Sequence, residues 1–297
     1  MEIQSNSPIF LVGCPRSGTT LLQSLLAAHP DIASFRESKF FHYVLPEYEP
    51  RRRALGLVSR QLRPRLERYF RDELGRPEML SRLPRIILRG YYTRNFIEIM
   101  YLMTQEQGKR IFLEKTPDHI YKINLIEKLV PRARFIHLVR NGVDVVASLS
   151  EITHKYPRHW GGEHTIDMCI DKWKRAIAAS YESRHKPNHY LVQYEALVAN
   201  PRPILENLCQ FIGVEFHQAM LQDYRAMGEQ LSLVHEGRAV RQDGIQNATS
   251  QKFYQVFDPA QRQYIREQLA TVNLAELRQA FDSKNSPDQY ITKTEDK

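Results

Sequence analysis

Apolar residues follow two rhythms along this chain. Residues 8–13, Pro-Ile-Phe-Leu-Val-Gly, are one unbroken apolar run ending in glycine, which predicts a strand buried on both faces. Beyond the turn at 14–18, Leu21, Leu22, Leu25 and Leu26 fall at helical spacing before Pro30, so a helix is expected over 19–29. The alternation then repeats. Strands are expected at 31–35, 110–114, 133–139 and 190–193, and helices at 91–107, 118–129, 143–149, 167–184 and after Pro201. Between the second strand and residue 91 lies an Arg-rich stretch interrupted by Pro64, Pro77 and Pro84, which reads as short helices and turns.

This alternation predicts an α/β fold with a largely parallel sheet covered on both faces. We read 1–297 as a single domain in which 38–109 form an inserted helical cap, and the polar residues 283–297 as a frayed tail. A hydrophobic fraction of 42% and a charged fraction of 26% suit a globular core that needs no staples. Cys14, Cys169 and Cys209 are far apart, with neither a CxxC nor zinc-ligand spacing, which argues against a disulfide framework and a metal site. The first eight residues lack a basic start followed by an apolar stretch, and no apolar run nears the roughly 20 residues of a membrane span. The expectation is a cytoplasmic protein.

Charge changes the picture once it is located. Lys plus Arg number 42 against 34 Asp plus Glu, a net +8. Residues 51–94 hold 13 Arg, no Lys and four acids, so this stretch alone carries +9 and the rest nearly balances. Guanidinium groups in such number suit a carboxylate- or phosphate-bearing partner. The plainer alternative is a pair of solvated amphipathic helices. Base-stacking aromatics at motif spacing are absent, which ranks an Arg-rich nucleic-acid- or membrane-binding protein last among the functional readings.

Gly13-Cys-Pro-Arg-Ser-Gly-Thr-Thr20 lies between the first strand and the first helix at the spacing of GxxxxGK[ST], with Thr19 where the nucleotide-triphosphate loop has lysine. Loop amides and a helix N-terminus still offer an anion site. Without the lysine, and without a clear acidic strand end for magnesium, the loop is poorly built for ATP; a P-loop kinase is kept as the alternative enzyme, and an Arg-rich anion-binding protein as the non-enzymatic one. A second constellation runs from the strand at 133–139 into Arg140-Asn-Gly and reaches Ser148 eight positions later. It puts an arginine at the carboxyl edge of the sheet, where open α/β folds bind ligands.

The stretch Pro15-Arg-Ser-Gly-Thr-Thr-Leu-Leu, with His29-Pro-Asp-Ile32 after it, resembles the 5′-phosphosulfate loop of sulfotransferases that use 3′-phosphoadenosine-5′-phosphosulfate (PAPS). It is similar to the branch holding tyrosylprotein sulfotransferases and many bacterial enzymes. The resemblance implies a P-loop-NTPase-like three-layer α/β sandwich, and transfer of a sulfuryl group from PAPS to a hydroxyl or amine acceptor without a metal, leaving adenosine 3′,5′-bisphosphate (PAP). It implies that Arg16, Ser17, Gly18, Thr19 and Thr20 hold the 5′-phosphosulfate, and that Arg140 and Ser148 hold the 3′-phosphate. Tyr190-Leu-Val-Gln-Tyr-Glu-Ala-Leu197 resembles the family's strand ending in Tyr-Glu-x-Leu, which places Tyr194 beside the nucleotide. Arg238 and Arg241, in a basic Gly-containing loop at 237–247, match by composition a late segment that closes over the nucleotide.

The resemblance also nominates a base. Ser34-Phe-Arg-Glu37-Ser stands where the tyrosylprotein branch ends Gly-Glu-Glu-Thr, keeping the second Glu and replacing the first by Arg36. Glu37 is therefore the first candidate for general base, and His119 its rival, since other branches use histidine. Lys115 matches a Lys-x-Pro lysine near the sulfuryl group; with Arg16, which holds the transferred group, these complete the expected catalytic set. The acceptor carries no motif. A cytoplasmic metabolite, lipid or glycoconjugate is expected, and the +9 stretch, expected over the acceptor entrance, favours an anionic one.

Overall fold

The computed structural model describes residues 7–232 and 251–282. Five strands, β1 (Ile9–Gly13), β2 (Ile32–Ser34), β3 (Ile111–Lys115), β4 (Arg134–Val139) and β5 (His189–Gln193), form one sheet in the order β2-β3-β1-β4-β5. All four pairings are parallel, in a register that sets Leu11 beside Lys115 and Gly13 beside Leu138. Every strand thus ends at one edge, with β1 at the centre.

The run of apolar residues in β1 splits by parity, as the pleat requires. Ile9 and Leu11 pack with Ile111, Leu113, Ile136 and Leu138 on one face, beneath helices Thr19–Ala27 and Pro201–Ile212. Phe10 and Val12 pack with Phe112 and Phe135 on the other, beneath helices Arg89–Glu106, Gly142–Lys155 and Ile166–Glu182. The result is a three-layer α/β sandwich. Cys14, Cys169 and Cys209 are buried free thiols in it.

Local departures from the sequence expectation have physical causes. Strand β3 runs one residue further than expected, so Lys115 is its last, buried member. The helix expected at 118–129 is two elements, a 3₁₀ turn Pro117–Lys122 and then an α-helix Ile123–Leu129. Pro64 does not interrupt the chain: it sits in the first turn of helix Leu62–Arg68, where an amide has no intrahelical acceptor to lose. The helix at 143–149 extends to Lys155. A short helix Tyr194–Ala199 begins directly at the end of β5, so Tyr194 is its first residue. The tail at 283–297 lies outside the described residues.

Candidate active site

At the centre of the sheet edge, Gly13 is held where only hydrogen fits: a Cβ there would lie 2.5 Å from the Leu138 carbonyl oxygen. The chain then turns, with the Ser17 amide donating to the Cys14 carbonyl at 3.1 Å. It takes left-handed conformations at Arg16 (φ 74°) and Gly18 (φ 95°). For Arg16 that conformation is strained, and such strain gathers where a loop must wrap a ligand. Helix Thr19–Ala27 starts with no side-chain cap and no acid in its first turn. Its leading amides therefore present partial positive charge to the loop. The Ser17 hydroxyl is buried and has no hydrogen-bond partner among the described residues.

β4 delivers Arg140 to the same edge. Trp173 Nε1 donates to the Arg140 carbonyl at 3.0 Å, and the Asn141 amide donates to Glu195 Oε1 at 2.8 Å. The Asn141 side chain caps helix Gly142–Lys155 by accepting from the Val143 amide. The Arg140 guanidinium lies 4.2 Å from the centre of the Tyr194 ring, and Asp144 is 3.7 Å away. That ring also covers Gly18, where a Cβ would meet Tyr194 Cε2 at 2.4 Å. Arg140 Nε is buried and unpartnered among the described residues. Ser148, further along the helix, accepts from Arg16 Nε at 3.0 Å. Two sequence motifs 120 residues apart, the glycine loop and the strand-end arginine, thus close on each other through Tyr194 and Ser148.

On the other side of β1 the polar groups are paired. Lys115 Nζ donates to Glu37 Oε1 at 2.6 Å, with the side chains 3% and 7% exposed. Glu114, one residue earlier, accepts from Ser38 Oγ at 2.8 Å and from Thr116 Oγ1 at 2.7 Å. Burial lifts its carboxyl to about 7 against those two hydrogen bonds. The cap fixes this corner. Arg65 donates to the Glu37 and Ser38 carbonyls at 2.9 and 3.2 Å and pairs with Glu73. Tyr69, beneath the Arg65 guanidinium, donates its hydroxyl to the Arg36 carbonyl at 3.0 Å.

His119 borders this corner, 3.8 Å from Glu114 Oε1. Its ring is 1% exposed, 5.4 Å from Phe41 and 6.5 Å from Phe10, and neither nitrogen has a hydrogen-bond partner among the described residues. Burial pushes its pKa down to about 3. The Glu114 oxygen 3.8 Å from Nδ1 therefore faces a neutral ring and makes no ion pair. His119 is thus a buried neutral imidazole packed against Phe41 and Phe10. Arg238 and Arg241 lie outside the described residues. Arg65 and Glu73 were missed in the sequence, because nothing in the spacing sets Arg65 apart from the other cap arginines.

Comparison with known proteins decides the family. Residues 8–218 match the sulfotransferase family. The chain belongs to it. Protein-tyrosine sulfotransferase 1 of Danio rerio is 28% identical over 224 residues, covering 74% of this chain and 57% of the relative. The Drosophila melanogaster protein-tyrosine sulfotransferase is 28% identical over 216 residues, covering 72% and 39%. The chain thus spans about half the length of these curated relatives. Among solved structures, the sulfotransferase domain from the curacin biosynthetic pathway aligns at a TM-score of 0.59 and 19% identity, covering 89% of this chain and 97% of that one. A mouse sulfotransferase complexed with PAP aligns at 0.52 and 14% identity, covering 95% and 89%. Both likenesses concern the fold.

These relatives correct one expectation. Protein-tyrosine sulfotransferases are Golgi membrane-anchored enzymes, so the cytoplasmic placement read from the sequence does not stand. Among the described residues no helix is long and apolar enough to cross a membrane.

Proposed function

We propose that this sulfotransferase-family chain transfers a sulfuryl group from PAPS to a hydroxyl acceptor, with 1–297 acting as one domain and 38–109 as its cap. The observation that carries the reading is two buried polar atoms without hydrogen-bond partners among the described residues, Ser17 Oγ and Arg140 Nε, beside an uncapped helix N-terminus. Buried donors without partners are costly in a folded protein and are expected where a ligand completes them. A nucleotide with phosphate at both 3′ and 5′ positions would satisfy both: Arg16, Ser17, Gly18, Thr19 and Thr20 at the 5′ end, and Arg140 with Ser148 at the 3′ end. Tyr194, packed between the two, would position the nucleotide. The mouse neighbour's complex with PAP supports this choice.

When bound, the donor supplies an SO₃ group on a phosphate leaving group, and the transfer needs mainly positioning and charge stabilisation. The residues of this chain divide that work. Arg16 and the loop amides orient the group to be moved. Lys115 stands ready to neutralise charge on the oxygen released to the leaving phosphate. Glu37 takes the acceptor's hydroxyl proton as general base. In the structure these last two neutralise each other at 2.6 Å. Once Lys115 turns to the leaving oxygen, the Glu37 carboxylate loses its counter-ion and becomes more basic. The +9 cap favours an acceptor, or a surface presenting it, that is anionic.

Thermal shift with PAP, AMP and ATP tests the site, and transfer of label from sulfur-labelled PAPS to an acceptor panel tests the reaction. PAP should stabilise the protein most. Equal stabilisation by AMP would overturn the 3′-phosphate assignment.

A further inference from the structure

Two segments of the cap that are distant in sequence are clasped together at the surface. Leu57 and Leu88 form an isolated antiparallel bridge. Around it the Val58 amide donates to the Ile87 carbonyl at 2.9 Å and the Arg89 amide to the Gly56 carbonyl at 2.8 Å. The Arg89 guanidinium adds a bond to the Arg53 carbonyl at 3.0 Å. The clasp brings the segment that carries Leu55 against the one that carries Ile86, Ile87 and Leu88.

These four side chains face solvent: Leu55 is 69% exposed, Ile86 52%, Ile87 40% and Leu88 50%. Among the described residues no other leucine or isoleucine is exposed. Exposed aliphatics are therefore concentrated in one place, which is the informative case. Their charged neighbours are mostly arginine, with Glu47 and Glu49 just ahead of the first segment. Segments 50–58 and 84–94 contain no acid, and Arg51, Arg53, Arg85 and Arg94 are exposed without an ion pair among the described residues. Arg52 is the exception, held by Glu49 and the Val58 carbonyl.

We propose that this clasp docks the protein on a bilayer rich in anionic lipid, with Leu55, Ile86, Ile87 and Leu88 entering the headgroup–acyl boundary and the flanking arginines meeting lipid phosphates. Side chains exposed by 40–69% stand proud of the surface and do not line a groove, so they suit insertion into a soft phase. Aliphatics beside arginine, with Tyr91 at the edge (44% exposed), make the composition of an interfacial anchor. Self-association is disfavoured, since pairing the patch with a copy of itself sets arginine against arginine. The inference does not depend on the sulfuryl-transfer reading: it uses no residue of the nucleotide site.

Co-sedimentation of the full chain with vesicles tests it, comparing phosphatidylcholine alone with phosphatidylcholine and phosphatidylglycerol in equal parts. The protein should bind the anionic vesicles and release them at high salt. Arg51→Gln with Arg53→Gln and Arg85→Gln should weaken partitioning on the order of 100-fold, at about tenfold or less for each charge. Ile86→Asn with Ile87→Asn keeps the charge and should weaken it by about tenfold or more. All five positions are exposed, so an unchanged melting temperature certifies that the variants fold. Failure of the wild type to bind anionic vesicles, or wild-type partitioning by both variants, would overturn the proposal. So would tight binding to soluble polyglutamate that ignores the Ile86/Ile87 change, which would indicate an acidic protein partner.

Discussion

The two sides of β1 solve opposite problems. Toward β4 and β5, Ser17 and Arg140 keep buried polar atoms without hydrogen-bond partners among the described residues, and the helix behind them has no side-chain cap. Toward β2 and β3, Glu37, Lys115, Glu114, Ser38 and Arg65 are bonded to one another. The first side carries unspent positive potential and waits for negative charge. The second is neutral by mutual pairing, and changes state only when one member is drawn away. On the proposed function such a site would bind with one half and react with the other, so affinity and turnover should separate by side.

Glu37→Gln should produce the largest effect. Turnover should fall by about 10²- to 10⁴-fold, the range of general-base contributions, while PAP affinity stays near wild type. If His119→Ala has that effect and Glu37→Gln has not, the base lies on the buried aromatic cluster and the comparison fails. Arg140→Ala should act on the opposite quantity, weakening PAP by about 10- to 100-fold in calorimetry and AMP far less. A matching loss for AMP would show that Arg140 serves general packing around Tyr194. Ser148→Ala removes one neutral hydrogen-bonding group and should cost about fivefold in PAP affinity with turnover of the saturated enzyme preserved.

The smallest effect concerns pH. Burial lowers His119 from 6.5 to about 3, so between these values the folded chain binds fewer protons than the unfolded one. Its contribution is complete above about 6.5 and is lost as pH falls toward 3. Glu114 works the other way: its carboxyl is raised from 4.5 to about 7, so its contribution is present below 4.5 and lost as pH rises through 7. His119→Phe leaves Glu114 in place and should flatten part of the acid limb of the melting-temperature profile. An unchanged limb would mean that the His119 ring already titrates with solvent access.

The difference between the sides also explains what could be read in advance. Gly13, Gly18, Arg140 and Tyr194 were legible because each stands at a fixed offset from an apolar strand, and a parallel sheet puts all strand ends on one edge. The Glu37–Lys115 pair was legible only as two separate candidates, since they stand 78 positions apart. Arg65 was not legible at all. Its role comes from the path of the cap, which lowers one arginine of thirteen onto the Glu37 and Ser38 carbonyls.

By itself the sequence determined the α/β alternation, the anion loop lacking its lysine and the concentration of charge in the cap. These are local properties, written in periods of two and 3.6 residues and in the chemistry of neighbours along the chain. Tertiary structure alone decided that the Arg16 guanidinium would reach Ser148, that His119 would be sealed among Phe10 and Phe41, and that Leu57 would pair with Leu88 at the surface. Each of these depends on segments brought together by core packing and backbone pairing, and desolvation, the force that sets His119's charge, exists only once the core has closed.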